Sequence, residues 1–204
     1  MGPAPHGLRL PGRHDRPLPA AGARPLVWRR HLRRHATSQS TPQMTPVPTA
    51  ATPLRILQMN SLLNGGGTDD RAVRLIAGFH ARGHRVAIAG LPDRKYGRIA
   101  REWGVPMVPA GPGKAAYILG SARELRRGKY QILQAHHGRD YWPAVVAGIL
   151  SGVRPSLVLV RHLAKSPSSF VSRRFLLNRC EAMVAVSEFV AEVLKKGSYE
   201  PDSP

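Results

Sequence analysis

Leu54-Arg-Ile-Leu-Gln-Met59 runs straight into Asn60-Ser-Leu-Leu-Asn-Gly65-Gly66-Gly67-Thr68-Asp69-Asp70, and then into Arg71-Ala-Val-Arg-Leu-Ile-Ala-Gly-Phe79. The first stretch is a short apolar run of β type. The last carries apolar residues at 72, 75, 76 and 79, which is one face of a helix. A strand, a triple-glycine turn and a helix N-terminus therefore follow one another directly. Helix N-termini expose free N–H groups and a partial positive charge, and glycine lets a ligand come close to the backbone. Such a turn is suited to phosphates and sugars.

The same alternation continues to the end of the chain. After the first strand, 54–59, the spacing predicts a helix over 69–82, with Thr68 as N-cap, Asp69 and Asp70 at its positive end and Gly83 closing it. Strands follow at 85–89, 105–108, 130–135, 156–160 and 182–186. Helices are predicted at 94–103, 114–127, 140–151 and 170–177, and a last one after Ser187. Strands alternating with helices mean an α/β doubly wound parallel sheet, Rossmann-like, with its ligand site beyond the carboxyl ends of the strands.

Residues 1–52 are of another kind. They hold eight Arg, no Lys and one acid, Asp15, and they are rich in Pro, Ala, Gly, Ser and Thr. No apolar periodicity runs through them, so they are read as a disordered N-terminal segment before a folded domain at 53–204. Their Arg-rich, acid-poor character resembles a transit peptide, and a true start at Met44 is the other simple account. The formal net charge is +19, of which 53–204 carry +12, so anionic partners are favoured. The single cysteine, Cys180, excludes an intrachain disulfide and reads as a small core residue in a reducing compartment. No apolar run nears the ~20 residues that span a bilayer.

Polar chemistry collects at the predicted strand ends: His136, His137, Gly138, Arg139 and Asp140, then Arg161, His162, Lys165, Ser166, Ser168 and Ser169, then Ser187. Histidine serves as acid, base or hydrogen-bond partner near neutral pH. One of His136 and His137 is expected to point into the core and satisfy a backbone group. No Cys or acid joins these histidines at metal-ligand spacing. A dinucleotide fingerprint is missing, since the glycines are followed by Thr68-Asp69-Asp70 and the acid after the second strand would have to be Asp93. A P-loop is missing too. Asp69 and Asp70 are read as helix-capping rather than catalytic.

The stretches 56–68 and 75–87 resemble the opening of the retaining glycosyltransferases of family 4, which have the GT-B fold. Gln134-Ala-His-His137, Val160-Arg-His162 and Ala185-Val-Ser-Glu-Phe-Val-Ala-Glu-Val-Leu194 resemble that family's later strand ends, in its order and spacing. The likeness covers roughly 54–197. It implies a hexosyltransferase that moves a sugar from a nucleotide-sugar donor to a glycan or lipid-linked acceptor, with retention, in lipopolysaccharide or cell-envelope glycan synthesis. On this likeness Gly65, Gly66, Gly67 and Thr68 lie against donor phosphates or acceptor. His162 is the catalytic residue beside the transferred sugar, and His137, Arg161, Lys165 and Ser187 are substrate contacts. Neither a metal nor a cofactor beyond the donor is implied. The protein is then cytoplasmic and peripheral on the inner face of the membrane, with Arg94, Lys95, Arg98, Arg101, Arg123, Arg126, Arg127 and Lys129 facing anionic lipid or phosphorylated acceptors.

Two departures are visible. The family commonly has Glu soon after its glycines, where this chain has Asp69-Asp70. The chain also ends at Pro204, before the second Rossmann-like domain that supplies most of a GT-B donor site with its Glu-x7-Glu motif. The expectation is an acceptor-side half, inactive alone. The alternatives are a module binding nucleic acid or another anionic ligand through the Arg-rich segment, and a Rossmann-type oxidoreductase. The absence of interleaved aromatics, a recognition helix or zinc spacing argues against nucleic acid.

Overall fold

A computed structural model describes residues 26–29, 52–109, 111–163, 176 and 179–196. The elements in order are β1 (Leu26–Arg29), β2 (Arg55–Met59), α1 (Gly67–Ala81), β3 (Arg85–Gly90), α2 (Lys95–Glu102), β4 (Met107–Pro109), α3 (Gly113–Gly128), β5 (Ile132–Ala135), α4 (Gly138–Ser151), β6 (Ser156–Arg161), β7 (Ala182–Ala185) and α5 (Glu188–Lys196). Strands β2 to β7 form the expected parallel sheet, in the order β4-β3-β2-β5-β6-β7. Cys180 is buried in the core, as its apolar setting implies. The helix expected over 170–177 lies outside the described residues, Leu176 apart.

One element departs from the reading of 1–52 as structureless. Leu26–Arg29 pairs antiparallel with β7, Leu26 opposite Ala185 and Arg29 opposite Ala182. The segment Leu-Val-Trp is rich in β-formers, and it covers hydrogen-bonding groups that β7 would otherwise present as a sheet edge. The other residues of 1–51 lie outside the described residues.

The two faces of the sheet carry separate cores, because alternate residues of each strand point to opposite sides. Leu57, Met59, Ala87, Ala89, Leu133, Ala135, Leu157 and Leu159 pack with Leu125 of α3, Ala144 and Ala147 of α4 and Val190 and Leu194 of α5. Ile56, Val86 and Ile88 pack with Val73 and Ile76 of α1 and Ala100 of α2. Gly152, at φ 73°, closes α4.

The loop after β2 is fixed from below by a contact only glycine allows. A Cβ on Gly90 would run into the carbonyl oxygen of Asn60 and stand 2.7 Å from Leu63 Cδ1. Leu63 itself is fully buried, and its carbonyl accepts the Tyr96 N–H at 3.0 Å, so it has little room to yield. Gly90→Ala is expected to destabilise the domain by about 1–3 kcal/mol through overpacking, read as a lower urea midpoint with unchanged slope.

Candidate active site

The chain runs outward from β2 through β3 to β4, then returns to β5 on the other side of β2. In such sheets the crevice for ligands opens where the strand order reverses, beyond the carboxyl ends. Here those ends are Asn60–Gly67 after β2 and His136–Asp140 after β5, with Arg161 and His162 next along on β6.

The glycine loop is open. Gly65 and Gly66 have φ of 149° and 95°, which side chains rarely adopt, and added Cβ atoms at 65, 66 or 67 would meet nothing within 4 Å. Gly66, not Thr68, stands at the N-cap, and no side chain caps α1; Thr68 lies in its first turn. The two acids expected to cap the helix do other things. Asp70 pairs with Arg74 at 2.8 Å on the surface. Asp69 turns inward and is 1% exposed.

Asp69 ties three parts of the site together. Its Oδ2 accepts the Gly65 N–H at 2.9 Å, and its Oδ1 accepts from Asn60 Nδ2 at 3.1 Å and meets His137 Nε2 at 2.7 Å. Burial pushes its carboxyl up, but the bonds from His137, Gly65 and Asn60 outweigh that and hold it below the usual value. A second carboxylate, Asp140, accepts the Ser61 N–H at 3.0 Å and so joins the loop after β2 to the start of α4. Burial raises its pKa, against the opposing pull of Ser61.

The two remaining histidines meet each other. His136 Nδ1 and His162 Nε2 are 3.1 Å apart. His136 is the buried member of its pair, as expected, but its partner is this imidazole rather than a backbone group, and its Nε2 has no partner. Burial, then the charge of neighbouring histidines, lowers His136 to about 3 and His162 to about 4. Both rings are therefore neutral near pH 7, one donating to the other.

The sheet register brings these groups together. Gln58 pairs with Gln134, and Gln134 with Val158, so Gln58, Asn60, Gln134, His136, Val158 and His162 share one face. Of the other expected contacts, Arg161 donates from Nε to the Leu163 carbonyl at 3.1 Å, and its Nη1 lies 3.3 Å from where a Cβ on Gly138 would be. Ser187 is engaged as the cap of α5, its Oγ accepting the Val190 N–H at 3.3 Å. Lys165 lies outside the described residues. Asp93, required by the dinucleotide reading, has a side chain 92% exposed and pairs loosely with Arg101 at 3.6 Å. Among the described residues no group of three His, Cys, Asp or Glu is placed to hold a metal ion, and no helix is long and apolar enough to cross a membrane.

Asp69 and Asn60 were missed as site residues. A signal for Asp69 was present: it stands three and four residues before Ala72 and Val73, on the face that α1 buries.

Strand order and crevice define a Rossmann-like α/β domain with its polar groups gathered at the switch point. The chain belongs to Glycosyltransferase Family 4, which it matches over residues 65–202. No protein of curated function matches it. Its fold is similar to that of Anabaena Alr3699/HepE, in the structure with UDP and glucose (TM-score 0.56, 14% identity) and in the structure with UDP-glucose (0.57, 15%). Each likeness covers 71% of this chain and 41% of that one, so the chain spans about two-fifths of the length of those neighbours.

Proposed function

We propose that this domain is the acceptor-side wall of a retaining glycosyltransferase that moves a sugar from a nucleotide-sugar to a glycan or lipid-linked acceptor of the cell envelope. The observation that carries this reading is the convergence of an open glycine loop with His137, His162 and Arg161 at the switch point of a family 4 chain. The UDP, glucose and UDP-glucose named for the Anabaena neighbours support nucleotide-sugar chemistry. Backbone N–H groups and neutral imidazoles bind and orient hydroxyls, which is the acceptor's chemistry. His162 lies nearest the transferred sugar, and no metal or cofactor takes part. The exposed basic residues Arg94, Lys95, Arg98, Arg123, Arg127 and Lys129 favour peripheral contact with anionic lipid on the inner face of the membrane. Arg101 and Arg126 are engaged within the domain: Arg101 bonds the Pro92 carbonyl, and Arg126 the carbonyls of Ser151 and Leu150.

Transfer needs both reactants held in register, and on this reading the donor is held by a second wall. The purified 204-residue chain is expected to transfer no sugar from any nucleotide-sugar. Its histidine ring resonances are expected to respond saturably to methyl glycosides and not to UDP-glucose. Sugar transfer by the chain alone, or a response to UDP-glucose only, would overturn the acceptor-side assignment.

A further inference from the structure

We infer that Asp69 is a positioning residue that gives the two ring nitrogens of His137 different jobs, leaving Nδ1 to accept the hydrogen bond of a substrate hydroxyl in the crevice. The inference rests on the acceptor-side reading above for the identity of that hydroxyl, and on the geometry for the rest.

A carboxylate accepts hydrogen bonds only, so the 2.7 Å contact requires the proton on His137 Nε2. The neutral ring then carries its lone pair on Nδ1. Nε2 abuts a side chain that is 1% exposed, while the His137 side chain is 20% exposed, and on this inference that exposure belongs to the edge away from Asp69. The other oxygen of Asp69 holds the Gly65 N–H. One buried carboxylate therefore sets the ring form of His137 and the position of the glycine loop at once, and a shift in either is felt by the other. This also separates the two ligands that the glycine loop could take. With the Gly65 N–H already spent on an anion, and Nδ1 a lone pair, this end of the crevice suits a hydroxyl donor and not a phosphate oxygen.

Ring-nitrogen NMR of the histidine-labelled 204-residue chain tests this without any activity. The charged and titratable groups around His137 include Asp69, Asp140, His136 and His162, with Arg139 acting on Asp140 and Arg71 on His162, so spectra are compared across pH rather than at one value. Nε2 is expected in the protonated-nitrogen region and Nδ1 in the lone-pair region at every pH where the contact with Asp69 persists and the ring is neutral. A ring protonated on Nδ1, or an averaged pair of tautomers, overturns the proposal. In Asp69→Asn a single side-chain oxygen cannot serve both Gly65 and His137, and the fixed tautomer is expected to be lost. Asn60→Ser removes a different donor to the same carboxylate and should keep it, so equal behaviour of the two variants would mean a merely structural role and would sink the idea. Should Asp69→Asn not fold, the wild-type spectrum and Asn60→Ser decide the matter. Added methyl glucoside is expected to move Nδ1 and leave Nε2 in place, and inorganic phosphate to move neither. A fixed tautomer with no response to glycosides would remove the hydroxyl role and the acceptor reading together, and leave Asp69 as the group that orients His137.

Discussion

Alanine at position 69 is expected to cost about 3–5 kcal/mol of folding stability, because three hydrogen-bond donors lose one shared, buried acceptor. The methyl group of alanine replaces the acceptor for the Gly65 N–H, Asn60 Nδ2 and His137 Nε2. Asn60 is fully buried, so its amide cannot turn to water instead. Each donor left without a partner in such a place costs about 1–3 kcal/mol by itself. The neighbouring Asp70→Ala is the control. Its carboxylate is 34% exposed and its main partner, Arg74, is 65% exposed, so water replaces the lost contact. Urea unfolding of both variants gives the comparison: a large drop in midpoint for Asp69→Ala and none resolvable for Asp70→Ala. Equal midpoints would mean that the carboxylate of residue 69 is not buried in the network described.

That difference between two adjacent aspartates marks the limit of what the sequence shows. Alternation of apolar runs with helical spacing placed all six parallel strands and the glycine loop, because periods of 2 and 3.6 are written directly in residue order. The histidine-bearing strand ends followed from the alternation. Which of Asp69 and Asp70 turns inward depends on the roll of α1 against the sheet, a tertiary fact, though the burial of Ala72 and Val73 hinted at it. The pairing of His136 with His162 needs the order β2-β5-β6 and its register, which no local pattern states. The strands also hold polar side chains that their apolar appearance hid: Gln58 and Gln134 lie buried side by side beneath the crevice. β1 was invisible for a different reason. Four residues in an Arg- and Pro-rich setting give no periodicity, and their strand exists only by pairing with β7.

Acidification is expected to weaken the fold steeply between about pH 6 and pH 4. In the unfolded chain a histidine takes its proton near pH 6.5. In the fold His136 and His162 do so only at about 3 and about 4, chiefly because burial opposes the charge, with His162 and His137 adding to it at His136, and His137 and Arg71 at His162. Over that window the unfolded state binds more protons than the native one, so stability rises with pH and is lost as pH falls below 6.5. Each such group contributes a slope of about 1.4 kcal/mol per pH unit, and two give about 2.7. Two units of acidification thus remove at most about 5 kcal/mol, most of it through the buried His136 because solvent screens part of the half-buried His162 contribution; that is comparable to the whole stability of many domains. The Asp69 carboxylate adds to the loss only lower, since its pKa is depressed below 3.8 and its contribution fades as the pH falls through that range. Charge repulsion in a chain of net charge +19 also grows on acidification, but it acts between exposed groups and is screened over about 3 Å in 1 M salt. The His136 contribution is buried and survives salt, and that of the half-buried His162 survives in part. Urea midpoints at pH 7.5, 6, 5 and 4.5, in 0.1 M and 1 M salt, separate the two. His162→Gln removes one titrating ring and keeps a hydrogen-bonding side chain, so its slope should be shallower than that of the wild type, by at most about half. A wild-type stability that stays flat from pH 6.5 to 4.5 in high salt would mean that the two imidazoles are solvated in the native state and not paired at the crevice floor.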